Sequence, residues 1–181
     1  MGGLSRQDAL IGWFTALAVV IHVFEAGLPS PVPGVKPGLA NVITLIVLAR
    51  HGLEAAVWVG ALRVLVGSLV IGTFLTPTFL LSASGAVASL AVLALAWAWN
   101  ARMQAPLRLS VLGLGCLAAI SHMAVQFLVA WTLFVPHPGL LTLLPVLLLT
   151  AWVFGLCTGW LAAAILQRLP PLAERRDNLA A

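Results

Sequence analysis

The stretch EAGLPSPVPGVKPGLAN, residues 25–41, separates the first apolar run of the chain from the second. It contains a carboxylate, four prolines and a lysine, in a chain with only five acidic and nine basic residues. Proline and glycine end helices and favour turns, so the stretch predicts a stiff turn between two helices. Because charged residues are scarce in the chain, Glu25 at the start of this stretch and Lys36 within it are candidates for function.

The composition predicts the class of protein. Hydrophobic residues make up 62% of the chain and charged residues 8%, whereas soluble domains contain about 25% charged residues. So much apolar surface is stable in a bilayer, where backbone groups must pair with one another and helices are the usual solution. We therefore expect an all-α, multi-pass protein of the inner cell membrane. The basic residues are spread singly, which argues against a nucleic-acid partner.

Hydropathy and turn residues divide the chain into six apolar segments. They are residues 9–27, 38–49, 54–76, 78–99, 109–135 and 140–167. The second segment is short for a bilayer that a helix crosses with ~20 residues. It therefore fits a re-entrant element as well as a crossing.

Lysine and arginine are concentrated in alternate connections, the pattern that marks the cytoplasmic side. Arg50 joins segments two and three, Arg102 and Arg108 join segments four and five, and Arg168 follows segment six. This pattern favours a crossing by the second segment and predicts six transmembrane helices with both termini in the cytoplasm. The expected organisation is one transmembrane domain, residues 1–169, and a polar cytoplasmic tail, residues 170–181.

Several polar side chains lie within the apolar segments, where ionisable groups are costly and are commonly functional. His22 and Glu25 are three residues apart, on one face of the first helix. Arg63 lies about 14 Å into the third segment at ~1.5 Å per residue. His122 and Gln126 are four residues apart, on one face of the fifth helix. The sequence therefore predicts polar groups near the middle of the bundle.

Each of these groups allows two interpretations. Arg63 either pairs with Glu25 to fix helix packing, or binds a phosphate or carboxylate, which its planar guanidinium suits. Glu25 and Lys36 either form a weak surface pair or belong to a polar lid, which the stiff prolines favour. His122 and Gln126 either form a hydrogen bond between helices or line a site.

The sequence contains no HExxH, GxSxG or Walker A motif. A magnesium site needs several oxygen ligands, whereas the five acidic residues of this chain are scattered. We therefore expect a protein that is not an enzyme, or at most an accessory subunit.

Five blocks of the sequence resemble the Gx transporter family, also labelled heptaprenyl diphosphate synthase component I. The blocks are GVKPGLANVITLIVL, LRVLVGSLVIGTF, LLSASGAVASL, SHMAVQFLVA and CTGWLAAAIL, which begin at residues 34, 62, 80, 121 and 157. The resemblance implies a fold like the S components of energy-coupling-factor vitamin transporters, with a ligand pocket under the first outer loop. The positions that it implies for substrate binding are Glu25, Lys36, Asn41, Arg63, Ser68, His122 and Gln126.

The chain departs from the family pattern directly after two of these positions. It has His122-Met123 where the family usually has His-Asn, and Lys36-Pro37-Gly38 where Lys-Leu-Gly is common. The first departure puts one polar contact in doubt, and the second makes the entry to segment two stiffer.

The sequence leaves three functions open. The first is an S-component-like binding protein that captures a small anionic or amphipathic molecule from the outer side and needs an energy-coupling partner. The second is a membrane subunit of an extracytosolic electron-transfer system, with a flavin or quinone as cofactor or a redox partner subunit. The third is a non-catalytic anchor for a prenyl diphosphate or quinone-pathway enzyme.

Overall fold

A computed structural model of the chain describes residues 5–28 and 38–170. All regular elements in these two ranges are helices, so the all-α prediction is confirmed. The elements are α1 (Arg6–Gly27), α2 (Ala40–His51), α3 (Leu53–Ile71), α4 (Pro77–Arg102), α5 (Val111–Val129), α6 (Pro138–Leu141) and α7 (Leu144–Arg168). A π-helical turn, Ala130–Phe134, extends α5.

The predicted segments differ from the helices by one to three residues at most ends, and two of them differ more. The third helix stops at Ile71 rather than Thr76, because Gly72 adopts a left-handed conformation with φ +79° and caps the helix. The sixth segment is divided into the short α6 and the long α7. Local glycine and proline chemistry, rather than hydropathy, therefore sets these boundaries.

Five helical stretches in the described ranges are long and apolar enough to cross a membrane. They are α1, α3, α4, α5 with its π turn, and α6 with α7. The helix α2 has 12 residues, or about 18 Å at ~1.5 Å per residue, against a hydrocarbon core of ~30 Å. The bundle is that of a multi-pass membrane protein, while the sixth crossing and the cytoplasmic termini stay predictions.

The short helix α2 forms the centre of the bundle. The long helices pack in the order α1, α3, α4, α5 and α7, and α2 contacts all of these except α4 extensively. Ala40 and every residue from Val42 to Leu48 are buried. The uninterrupted apolar run of this segment is therefore explained by burial on all sides, not by exposure to lipid.

Contacts at both ends of α2 fix its direction. The Glu25 side chain, near the end of α1, binds the start of α2. Phe14, nearer the beginning of α1, contacts His51 at the end of α2, with the two ring centroids 5.6 Å apart. The helices α1 and α2 are therefore antiparallel. Arg50 donates a 2.6 Å hydrogen bond to the carbonyl of Pro170, so the α2–α3 turn and the end of α7 lie at the same end of the bundle.

Glycines allow α5 and α7 to cross at close range. A Cβ atom on Gly115 would lie 2.7 Å from the carbonyl oxygen of Gly155, and one on Gly159 would lie 2.7 Å from the Cα atom of Leu112. Backbone atoms cannot rotate away as a side chain can, so these positions accept only glycine without a shift of the helices. Such small-residue contacts are a common way for membrane helices to associate.

We expect Gly159→Ala to lower the free energy of unfolding by about 1–3 kcal/mol, because its methyl group overpacks the α5–α7 crossing. The measurement is the thermal unfolding midpoint of purified protein in detergent. Gly12→Ala is the matched control, since nothing lies within 4 Å of a Cβ atom at that helical glycine. Equal midpoints for the two variants would contradict the close crossing.

Candidate functional site

A cavity of about 300 Å³ lies between the helices, at the N-terminal end of α2. Six of the seven site residues expected from the sequence line this one cavity. They are Glu25, Asn41, Arg63, Ser68, His122 and Gln126. The seventh, Lys36, lies outside the described residues, as does most of the proline-rich stretch. The structure thus brings together residues from four helices, while their role in binding stays a prediction.

The Glu25 carboxylate holds the start of α2. Its Oε1 accepts a 2.6 Å hydrogen bond from the backbone N–H of Leu39, and its Oε2 accepts a 3.2 Å bond from that of Ala40. Helix N-termini carry unpaired N–H groups and a partial positive charge, both of which favour a carboxylate. Glu25 is therefore a cap supplied by the preceding helix.

This contact changes the expected place of Glu25. The side chain is only 3% exposed, so it lies inside the bundle rather than in a surface pair at the headgroup level. The next two amides, of Asn41 and Val42, bond to the carbonyls of Gly38 and Leu39. All the early N–H groups of α2 are thereby satisfied within the protein, as an apolar surrounding requires.

Arg63 is the buried cation of the cavity. It is 7% exposed, and its Nη1 donates a 2.8 Å hydrogen bond to Oδ1 of Asn41. Its Nε atom is buried without a hydrogen-bond partner among the described residues. Glu25 acts on Arg63 electrostatically, although the carboxylate accepts its hydrogen bonds from the start of α2. Arg63 therefore has donor capacity that the protein does not use.

Two histidine rings lie in close contact with glycines of neighbouring helices. A Cβ atom on Gly67 would lie 2.7 Å from Cδ2 of His22, and one on Gly85 would lie 2.7 Å from Cδ2 and Nε2 of His122. Both rings also line the cavity. The missing side chains of these glycines leave the space that the two rings occupy.

His122 has hydrogen-bonding capacity that the protein does not use. Gln126 lies one turn further along α5 and also lines the cavity, while the buried Nδ1 atom of His122 has no partner in the described part of the chain. The hydroxyl of Ser68, by contrast, donates to the carbonyl of Leu65 in its own helix. The open polar groups of the site are thus mainly those of Arg63 and His122.

Other lining residues were not expected from the sequence. Thr78, Ser82 and Thr158 supply hydroxyl groups, and Phe79 and Phe154 supply aromatic surface. Serine, threonine and phenylalanine are ordinary in membrane helices, so no sequence signal separates these from the rest. Only their position at the inner surface of α4 and α7 marks them.

Met123 follows His122 at the position where the family pattern usually has asparagine. It lines the cavity and packs with Ala151 and with Phe154 in a small apolar cluster. The departure therefore replaces a polar contact with an apolar surface inside the site.

No group of three or more His, Cys, Asp or Glu residues that could hold a metal ion occurs in residues 5–28 and 38–170.

We expect Glu25→Gln to loosen the start of α2, because a neutral amide has one acceptor oxygen for two backbone donors. Leaving a buried donor unpaired costs about 1–3 kcal/mol. Hydrogen–deuterium exchange should become faster in peptides covering residues 38–45. The control is Glu54→Gln, at an exposed position in the first turn of α3. Unchanged exchange at α2 would contradict the capping role.

We expect Gly85→Ala to lower stability by about 1–3 kcal/mol through overpacking, because the new methyl group meets the His122 ring. The same substitution in a His122→Ala background should cost much less, since the ring is then absent. Unfolding midpoints of the four proteins form a double-mutant cycle. Additive effects would show that the glycine and the ring are independent.

Comparison with known proteins agrees with the architecture. Residues 14–165 match the family model described as Heptaprenyl diphosphate synthase component I. No curated protein matches the chain. No solved structure matches it either. The match spans the helices from α1 to α7 and every described residue of the cavity. The chain therefore belongs to the heptaprenyl diphosphate synthase component I family.

Proposed function

We propose that this protein is a membrane-embedded binding protein that captures a small anionic or amphipathic molecule in the cavity beside α2. Arg63 contacts the anionic group, and Asn41, Ser68, His122 and Gln126 line the space around it. Uptake is from the outer side of the membrane. The protein is the binding subunit of a transport system and has no catalytic step of its own.

The observation that carries this proposal is the buried guanidinium of Arg63. A buried charge is retained where it has partners, because desolvation without them is costly. Arg63 lines the cavity and donates one hydrogen bond to Asn41, and its buried Nε has no partner among the described residues. An anionic ligand would complete its hydrogen bonds, with the fork geometry that arginine offers to carboxylates and phosphates.

The same cavity weighs against the other two functions. An anchor whose polar residues only lock helices together would have them packed against one another, whereas here they surround about 300 Å³ of space. A flavin or quinone subunit would be favoured by a planar slot flanked by tryptophan, and the described lining contains Phe79 and Phe154 but no tryptophan. These features support capture of a small molecule over both.

A partner subunit is part of the proposal. The family description refers to a component, which implies a second component. The sequence contains no nucleotide-binding motif, so energy for transport would come from an ATP-driven partner in the membrane.

The test is native mass spectrometry, with an absorption spectrum, on gently solubilised protein from its own host. We expect a small colourless anion on the wild type, and at least tenfold lower occupancy on Arg63→Gln. Loss of a hydrogen bond to a charged group costs about 1.5–3 kcal/mol, and each 1.4 kcal/mol is tenfold in affinity. Arg108→Gln is the control, because this exposed arginine bonds to the loop carbonyl of Met103.

Three results would contradict the proposal. A bound yellow flavin or a quinone would favour the electron-transfer alternative. An empty protein that brings along a soluble enzyme would favour the anchor. A ligand retained equally by wild type and Arg63→Gln would remove Arg63 from the site. Arg63→Lys, which keeps the positive charge but loses the planar guanidinium, is the second variant to test if Arg63→Gln does not fold.

A further inference from the structure

The charges around the cavity are few and nearly balanced. Among the described lining residues, Arg63 is the arginine, Glu25 is the carboxylate, and His22 and His122 are the other ionisable groups. Glu25 is held on α2 by two hydrogen bonds, so it cannot swing away from an incoming anion. Within the described lining, a negatively charged ligand therefore meets one guanidinium and one fixed carboxylate.

We infer that the cavity accepts a ligand with a single negative charge on a short apolar body, of the medium-chain monocarboxylate class, and rejects diphosphates. This inference rests on the proposed function and narrows the class of molecule that is captured. The ligand class inferred for this chain therefore differs from the diphosphate that the family description names.

The limit of one charge follows from electrostatics in a low-dielectric site. Interactions between charges are much stronger there than in water, and a charge without a partner is costly. Arg63 can form a two-pronged contact with one carboxylate. The second and third charges of a diphosphate would find no further arginine in the described lining and would be repelled by Glu25. Proteins that hold such phosphates commonly use magnesium ions with carboxylates.

The preference for a ligand with an apolar body follows from the apolar residues that line the other side of the cavity. Val64, Phe79, Met123 and Phe154 face the space, and Met123 and Phe154 belong to one apolar cluster. Burying an apolar chain against them contributes about 0.8 kcal/mol per CH₂ group. The volume of about 300 Å³ is at the lower end for ligand pockets, which suits a short chain and not a long polyprenyl group.

These features also set the orientation of the ligand. Arg63 and Asn41 belong to α3 and α2, whereas the apolar cluster of Met123, Ala151 and Phe154 belongs to α5 and α7. The carboxylate therefore binds on the α2–α3 side, and the chain extends toward α5 and α7.

The test measures binding of three probes to full-length protein in lipid nanodiscs by isothermal calorimetry. The probes are octanoate, octanol and geranyl diphosphate, which separate the contributions of charge, chain and diphosphate. We expect octanoate to bind at least tenfold more tightly than either of the others. Arg63→Gln should remove the advantage over octanol, and Met123→Asn should weaken octanoate binding severalfold, with both variants checked for unchanged elution and helix content.

Several outcomes would overturn the inference. Equal or tighter binding of geranyl diphosphate would refute the charge limit, and absence of octanoate binding would refute the ligand class. Equal binding of octanoate by wild type and Arg63→Gln would show partition into lipid or apolar surface only. If the native ligand depends on Arg63 but carries several charges, capture stands and this inference fails. If the native protein is an empty anchor, the proposed function itself fails.

Discussion

The bond between Glu25 and the start of α2 is the contact on which the site depends. In an apolar surrounding every backbone N–H group needs a partner, and α2 begins among other helices rather than in water. The carboxylate of α1 supplies two acceptors for this end, and its charge suits the positive end of the helix. Glu25, which the sequence assigns to a surface pair or a lid, thus also holds two helices of the bundle together.

The start of α2 takes part in the cavity directly. Gly38 and Asn41, at that end, are described residues of the α2 segment that line the cavity. Asn41 accepts a hydrogen bond from Arg63. The N-terminal end of α2 therefore contributes both to the wall of the cavity and to the placement of its cation.

Glycines give the rest of the bundle its shape in two different ways. At Gly115, Gly155 and Gly159 the missing side chain lets backbones approach, and at Gly67 and Gly85 it makes room for histidine rings beside the cavity. The sequence shows small residues at helical spacing in both regions. It does not show which of them meet a backbone and which meet a ring, because that depends on the rotation of each helix against its neighbour.

The sequence by itself determined the helical class, most helix positions and five polar residues that meet at the cavity, because apolar runs and rare polar residues leave strong signals. The sixth, Ser68, was expected only from the family resemblance. Tertiary structure decided the rest. Whether Glu25 pairs with Arg63 or caps α2, and whether Thr78 or Phe154 lines the cavity, depends on contacts between residues far apart in the chain. Hydropathy measures how apolar a segment is, but it does not distinguish a segment buried in protein from one exposed to lipid. The central position of α2 is therefore visible only from the packing of the helices.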